Sequence, residues 1–171
     1  MARNINKNRV FKYNRRVRGQ TNYHRRLELL KSKLPRCVIR KSNNGMLVQI
    51  TVYQSVGDNI ITSARAKDLV TLGYTLHTGN IVAAYLTGML AAKRALKAGV
   101  KDEVIVDFGL QRIQYGNRLF AVVKGLIDGG LNVRVGEGVF PSEERLNGEH
   151  LSSKDAQKVI SAVKDKIGGI K

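Results

Sequence analysis

The sequence predicts an α/β fold: a mixed sheet, made of an antiparallel meander plus βαβ-type strands, flanked by helices, with a basic N-terminal arm and a C-terminal helix. Three observations predict it. Alternating apolar and polar residues broken by glycine turns fill residues 36–65. Helix and strand patterns then alternate from residue 66 to residue 135. Positive charge is crowded into the first quarter of the chain, away from both patterns.

The elements follow in order. Residues 1–21 carry no regular period and are expected to be extended or without fixed structure in isolation. Residues 22–32 predict a short helix with Leu27, Leu30 and Leu34 inward, ended by Pro35. Residues 36–42 alternate, Cys37 and Ile39 on one face and Arg36, Val38 and Arg40 on the other. Asn43-Asn44-Gly45 predicts a tight hairpin into a strand over 46–54. A turn around Gly57 leads to a third strand over 60–65. Residues 66–73 predict a short helix stopped by Gly73. Residues 79–99 predict a long apolar helix whose alanines and Gly88 let it lie close against a sheet. Residues 103–109 form a near-continuous apolar run, expected to be a central strand covered on both sides. A helix over 117–130 and a strand over 131–135 complete the core. In the tail, Ser152 or Ser153 caps a helix with Ala156, Val159, Ile160, Val163 and Ile167 on one stripe. The organisation expected is an arm and short helix over 1–35, a core over 36–135 and an extension over 136–171.

Composition narrows the function. The chain has 171 residues, a formal charge of +17 and 43% hydrophobic residues, enough for a real core. Residues 1–41 hold 14 Lys+Arg against one acid, Glu28, a net of +13; residues 42–171 hold 16 against 12, a net of +4. Cys37 is the one cysteine, so no intrachain disulfide forms, which fits a reducing cytosol. No apolar leader segment is visible, and a transit peptide would be richer in serine, whereas the first serine here is Ser32. The longest apolar stretch, residues 81–92, is too short to span a bilayer.

Catalysis finds little support. His24, His77 and His150 are far apart and lack metal-ligand spacing. Asp107 ends a predicted strand, but a lone acid there is better read as a cap or an ion-pair partner. Glu143 and Glu144 suit a helix start, and residues 136–138 are only a turn signal. No cofactor motif occurs. An RNA-processing enzyme with a ribonuclease-H-like sheet would need two or three further acids beside Asp107.

The arm is the stronger signal. Arg3, Arg9, Arg15, Arg16, Arg18, Arg25 and Arg26, with Lys7 and Lys12, can grip phosphates, arginine in bidentate fashion. Phe11, Tyr13 and Tyr23 lie among them as stacking platforms. Arg36, Arg40 and Lys41 carry the charge onto the first strand. An amphipathic stripe for a membrane surface is missing, as is any DNA-binding module, so folded RNA is the partner expected.

Four stretches have a more specific likeness. RKSNN (40–44) with VQ (48–49), residues 77–96, residues 117–131 and residues 136–151 occur in this order. Together they resemble the family of large-ribosomal-subunit protein eighteen, and residues 11–32 resemble its archaeal and eukaryotic branch. The resemblance implies a non-catalytic, cytoplasmic ribosomal protein. It would bind 5S ribosomal RNA on the central protuberance, beside the 23S-type RNA, large-subunit protein five and neighbouring proteins. It implies RNA contacts at Arg15, Arg16, Arg18, at Tyr23 to Arg26, at Arg40, Lys41, Asn43 and Asn44, and at the loop holding His77, Gly79 and Asn80. Asn14 stands where relatives often carry a basic residue. The length resembles archaeal members, and +17 speaks against salt-in halophiles.

Overall fold

The strands of the meander are β1 (Arg36–Lys41), β2 (Met46–Val52) and β3 (Asn59–Arg65), consecutive and antiparallel. They belong to a computed structural model that describes residues 11–136, 138–151 and 156–170. The first hairpin closes where the Asn-Gly pair predicts: Lys41 faces Met46, and the Ser42 N–H donates to the Gly45 carbonyl at 2.9 Å. Alternation turns Cys37, Ile39, Met46, Val48 and Ile50 to one face, each at most 3% exposed. The β2–β3 register slips between the pairs Ile50–Thr62 and Thr51–Ile60. Such a bulge frees one residue from strict alternation, and Thr51 is buried next to Ile50.

After the meander, α3 (Asp68–Thr71) turns the chain and α4 (Ile81–Lys97) crosses back over the buried face. β4 (Ile105–Asp107) then joins parallel to β1, giving the order β3-β2-β1-β4. The predicted mixed sheet is therefore present, with two corrections. β4 is a three-residue edge strand, not a central one. The apolar run misleads because Val104 and Phe108 are buried outside the ladder, while Ile105 and Val106 within it are only partly covered. Residues 131–135 form no strand. Leu131 is buried and the Val104 N–H reaches the Asn132 carbonyl at 2.9 Å, but no further ladder bond follows among the described residues.

α5 (Arg118–Asp128) packs on α4, and here small residues decide the geometry. A methyl group at Gly88 would run into the Val122 carbonyl, and one at Gly125 into the Tyr85 carbonyl. Gly88 thus serves the helix–helix crossing, not contact with the sheet as its sequence context predicts. α6 (Glu143–Asn147) and α7 (Ala156–Gly168) pack against α4. Ala156, Ile160, Val163 and Ile167 are each at most 3% exposed, with Val159 half-buried, so the predicted stripe is the docking face. Burying three such Ile and Val side chains contributes about 1.5–3 kcal/mol each. Lys166 adds a bond from Nζ to the Leu72 carbonyl at 2.8 Å, capping α3. The predicted serine cap at 152 or 153 lies outside the described residues.

The N-terminal region departs from expectation twice. Residues 14–17 form one helical turn, α1 (Asn14–Val17), closed by Gly19 at φ 62. α2 (Tyr23–Lys31) has no fully buried residue, and Leu27 is 55% exposed rather than inward. Its start is fixed by Asn22, whose side chain accepts from the His24 and Arg25 N–H groups.

Candidate nucleic-acid interface

The face of β1 opposite the core carries charge. Alternation sends Arg36, Val38 and Arg40 there, and Asp107 follows because it sits in register with Val38. Arg36, however, is only 1% exposed. Its Nη2 lies 2.7 Å from Asp58 Oδ2 and its Nη1 3.5 Å from Asp107 Oδ2. The 2.7 Å approach is poorly angled for a hydrogen bond, and Nε has no acceptor among the described residues. Coulomb attraction to two carboxylates therefore balances this buried cation more than aligned hydrogen bonds do. This corrects the expectation that Arg36 extends the positive surface: a side chain under the sheet rim between two acids cannot reach a phosphate.

Asp58 ties the arm to this cluster. Arg26 Nη2 donates to both of its carboxylate oxygens at 2.9 Å. Partial burial alone would raise the Asp58 carboxyl, but Arg36 and Arg26 together outweigh it and hold the group below its usual range. A carboxyl depressed by folding contributes stability that is present above its unfolded value, about 3.9, and is lost as pH falls through the lower folded value. Below about pH 4, Asp58→Asn should therefore narrow its stability gap to the unsubstituted protein. Urea midpoints at pH 7 and pH 3 check this; equal gaps at both pH values would rule it out.

Asp107 is occupied structurally. Its Oδ1 accepts from the Gly109 N–H at 2.7 Å, and its Oδ2 lies 3.7 Å from Arg40 Nη2. Among the described residues no further acids gather round it in a metal-holding group. Burial, with Asp107 adding to it, pushes the Cys37 thiol up, so Cys37 is a core residue and not a nucleophile.

Around this cluster some of the expected contacts line adjoining clefts and others are exposed on the surface. Lys12, Tyr13, Arg15, Arg16 and Arg18 are exposed, and the Tyr13 ring rests 5.1 Å from that of Tyr23. Arg15 Nε donates to Thr21 Oγ1 at 3.0 Å. Arg25 Nη1 donates to the Gly109 carbonyl at 3.3 Å. Arg15, Arg25, Arg26 and Arg40 line one cleft between the arm and the sheet. Arg40 and Lys41 line the next, beside Asn44, Arg65 and Lys67. Lys41 and Asn80 line a third. Shared residues thus join the three clefts along one end of the sheet.

Its far part is held rigidly. Thr78 Oγ1 donates to the Asn44 carbonyl and Arg118 Nη1 to the Gly79 carbonyl, both at 2.6 Å. A methyl at Gly79 would lie 2.5 Å from the Asn43 carbonyl oxygen, so only glycine lets the loop approach the hairpin tip. Asn43, Asn44 and His77 remain exposed, His77 accepting the Gly79 N–H at Nδ1. Asn80 is committed differently: its Oδ1 caps α4 through the Ala83 N–H at 2.6 Å and accepts the Tyr74 hydroxyl at 2.9 Å. Arg3, Lys7 and Arg9 lie outside the described residues.

Sequence reasoning missed Asp58, Arg65, Lys67 and Arg118. Asp58 had one available signal: it is the only acid between Glu28 and Asp68. The others join the clefts only through tertiary contacts. Among the described residues no helix is long and apolar enough to cross a membrane.

The family model described as ribosomal large subunit proteins 60S L5 and 50S L18 matches residues 7–105. A large ribosomal subunit protein uL18 of Methanoregula boonei is 40% identical over 164 residues, covering 91% of this chain and 94% of the relative. A protein of the same name from Natronomonas pharaonis is 49% identical over 138 residues, covering 81% of this chain and 74% of the relative.

Proposed function

Because the chain belongs to the family of ribosomal large subunit proteins 60S L5 and 50S L18, we propose that it binds 5S ribosomal RNA and helps attach it to the central protuberance. The family is one of structural ribosomal proteins, so the chain is a constituent of the large subunit and no enzyme. Large-subunit protein five and the 23S-type RNA are its neighbours in this reading. The arm over 1–35 and the rim of the core over 36–135 make the RNA face, and the extension over 136–171 braces the core.

The observation that carries the reading is the run of three adjoining clefts linked by Arg40 and Lys41. Exposed arginines on a short helical turn, next to paired tyrosines, give phosphate grip and ring surface together. The repulsion within the arm is relieved when phosphates approach. Arg36 is excluded from the contact set, and Asn80 acts through its cap.

Affinity for 5S RNA should fall with salt, log against log, with a slope of about −4 or steeper, since each phosphate neutralised contributes roughly 0.7–0.9. Replacing Arg15, Arg16 and Arg18 together by alanine should flatten that slope by about 2–3. Filter binding across a salt series measures both. A salt-independent affinity, or equal preference for unrelated duplex DNA at moderate salt, would overturn the reading.

A further inference from the structure

We propose that the third cleft, lined by Lys41, Arg118, Arg145 and His150, is a separate phosphate seat that joins the C-terminal extension to the RNA. The inference rests on the RNA-binding reading above. It adds a site beyond the segment matched by the family model, since Arg118, Arg145 and His150 lie outside residues 7–105.

The cleft is cationic on every side that carries charge. No Asp or Glu lines it, and Lys41, Arg145 and His150 make no ion pair among the described residues. The body of the chain is otherwise nearly balanced, with a net of +4 over residues 42–171. Gathering unpaired basic side chains from β1, α5, α6 and the turn after α6 costs self-repulsion that an anion would relieve. Arg118 is already oriented, because its Nη1 holds the Gly79 carbonyl at 2.6 Å. The first turns of α4 and α5 also open here, through Asn80, Ile81, Asn117 and Arg118, and add partial positive charge.

The space suits a phosphodiester better than a buried ion. It is a groove of about 400 Å3, not an enclosed void. It is open to solvent through Arg145 and His150, both exposed. Lys41 belongs to this cleft and to its neighbour, so one RNA backbone can run from the hairpin into it. That continuity favours RNA over an acidic protein segment, which would not need a charged track along the sheet end.

The test compares full-length variants against 5S RNA over a salt series. Arg145→Ala with His150→Ala should leave the thermal midpoint unchanged, because both side chains are exposed and unpaired. It should weaken affinity about tenfold at low salt and flatten the log–log salt slope by about 1. Arg145→Lys should retain most of the slope. Unchanged affinity and slope for the double variant, with clear losses for the Arg15, Arg16 and Arg18 variant, would overturn the phosphate seat and leave the wider reading standing. No loss in either variant would overturn both. Unchanged RNA binding, with loss of a neighbouring protein from reconstituted particles, would replace the RNA by an acidic protein surface.

Discussion

Gly125→Ala should destabilise the protein by about 3 kcal/mol or more, a large share of the roughly 5–15 kcal/mol that holds a domain of this kind folded. The sign is informative. In a solvent-facing helix interior the same change stabilises by about 1 kcal/mol, because glycine is the poorer helix former. At Gly125 the added methyl has nowhere to go: the Tyr85 carbonyl occupies its position and the Met89 backbone nitrogen lies 3.0 Å away. Backbone cannot swing aside as a flexible side chain can, so α4 and α5 must separate along their length. Gly57→Ala is the control, because a methyl there meets nothing within 4 Å. It should change stability by less than about 1 kcal/mol in either direction. Urea midpoints of the two variants decide the matter, and similar midpoints would show that the crossing is not set by its glycines.

Arg36→Met should cost about 3–5 kcal/mol. The substitution keeps an unbranched apolar stem and removes the guanidinium with its charge and donors. Asp58 and Asp107 are then left with their second partners, Arg26 at 2.9 Å and Arg40 at 3.7 Å. Those partners place the effect toward the lower end of the range. Adding Asp58→Asn and Asp107→Asn to Arg36→Met should recover part of the loss, since a neutral trio leaves no carboxylate without its cation. The folded Arg36→Met protein should also keep the salt slope of RNA binding unaltered. A flattened slope would mean that Arg36 reaches the RNA after all. A melting temperature equal to that of the unsubstituted chain would mean that the pair with Asp58 contributes nothing.

The elements legible in the sequence were those fixed by local pattern. The meander could be read because alternation and an Asn-Gly turn act within a few residues. α4, α5 and α7 could be read because their apolar residues recur at helical spacing. β4 misled because a short apolar run has no period of its own: Val104 and Phe108 fill the core from outside the ladder, and the run gives no sign of it. Residues 131–135 misled because Leu131 and the half-buried Val133 and Val135 alternate with polar residues as a strand would, while the chain makes only a passing contact with Val104. Leu27 misled because α2 is steered by Arg25 and Arg26, whose partners Gly109 and Asp58 lie far along the chain.

The candidate interface divides in the same way. Its charge was legible as a count, and most of its exposed members were named from their residue type. Which arginine turns inward was not legible. Arg36 and Arg40 occupy equivalent places on one face of β1, and only the arrival of Asp58 from the turn after β2 separates them. Arg118 and Arg145 were not legible for the converse reason: the fold brings them to Lys41, and nothing nearby in sequence hints at it.

The parallel pairing of β1 with β4 also sets an order of events during synthesis. The hairpins of the meander need only short loops to close, whereas β4 must wait for α4, and closing that longer loop costs more entropy. A nascent chain that has not yet reached residue 105 lacks the strand that pairs with the outer edge of β1, and it lacks Asp107 to share the charge of Arg36. Throughout that interval the basic residues of the arm are already synthesised. The chain acquires its basic arm before it acquires its full four-stranded sheet, and an unpaired β1 edge beside a polycation invites both misassociation and early capture by RNA.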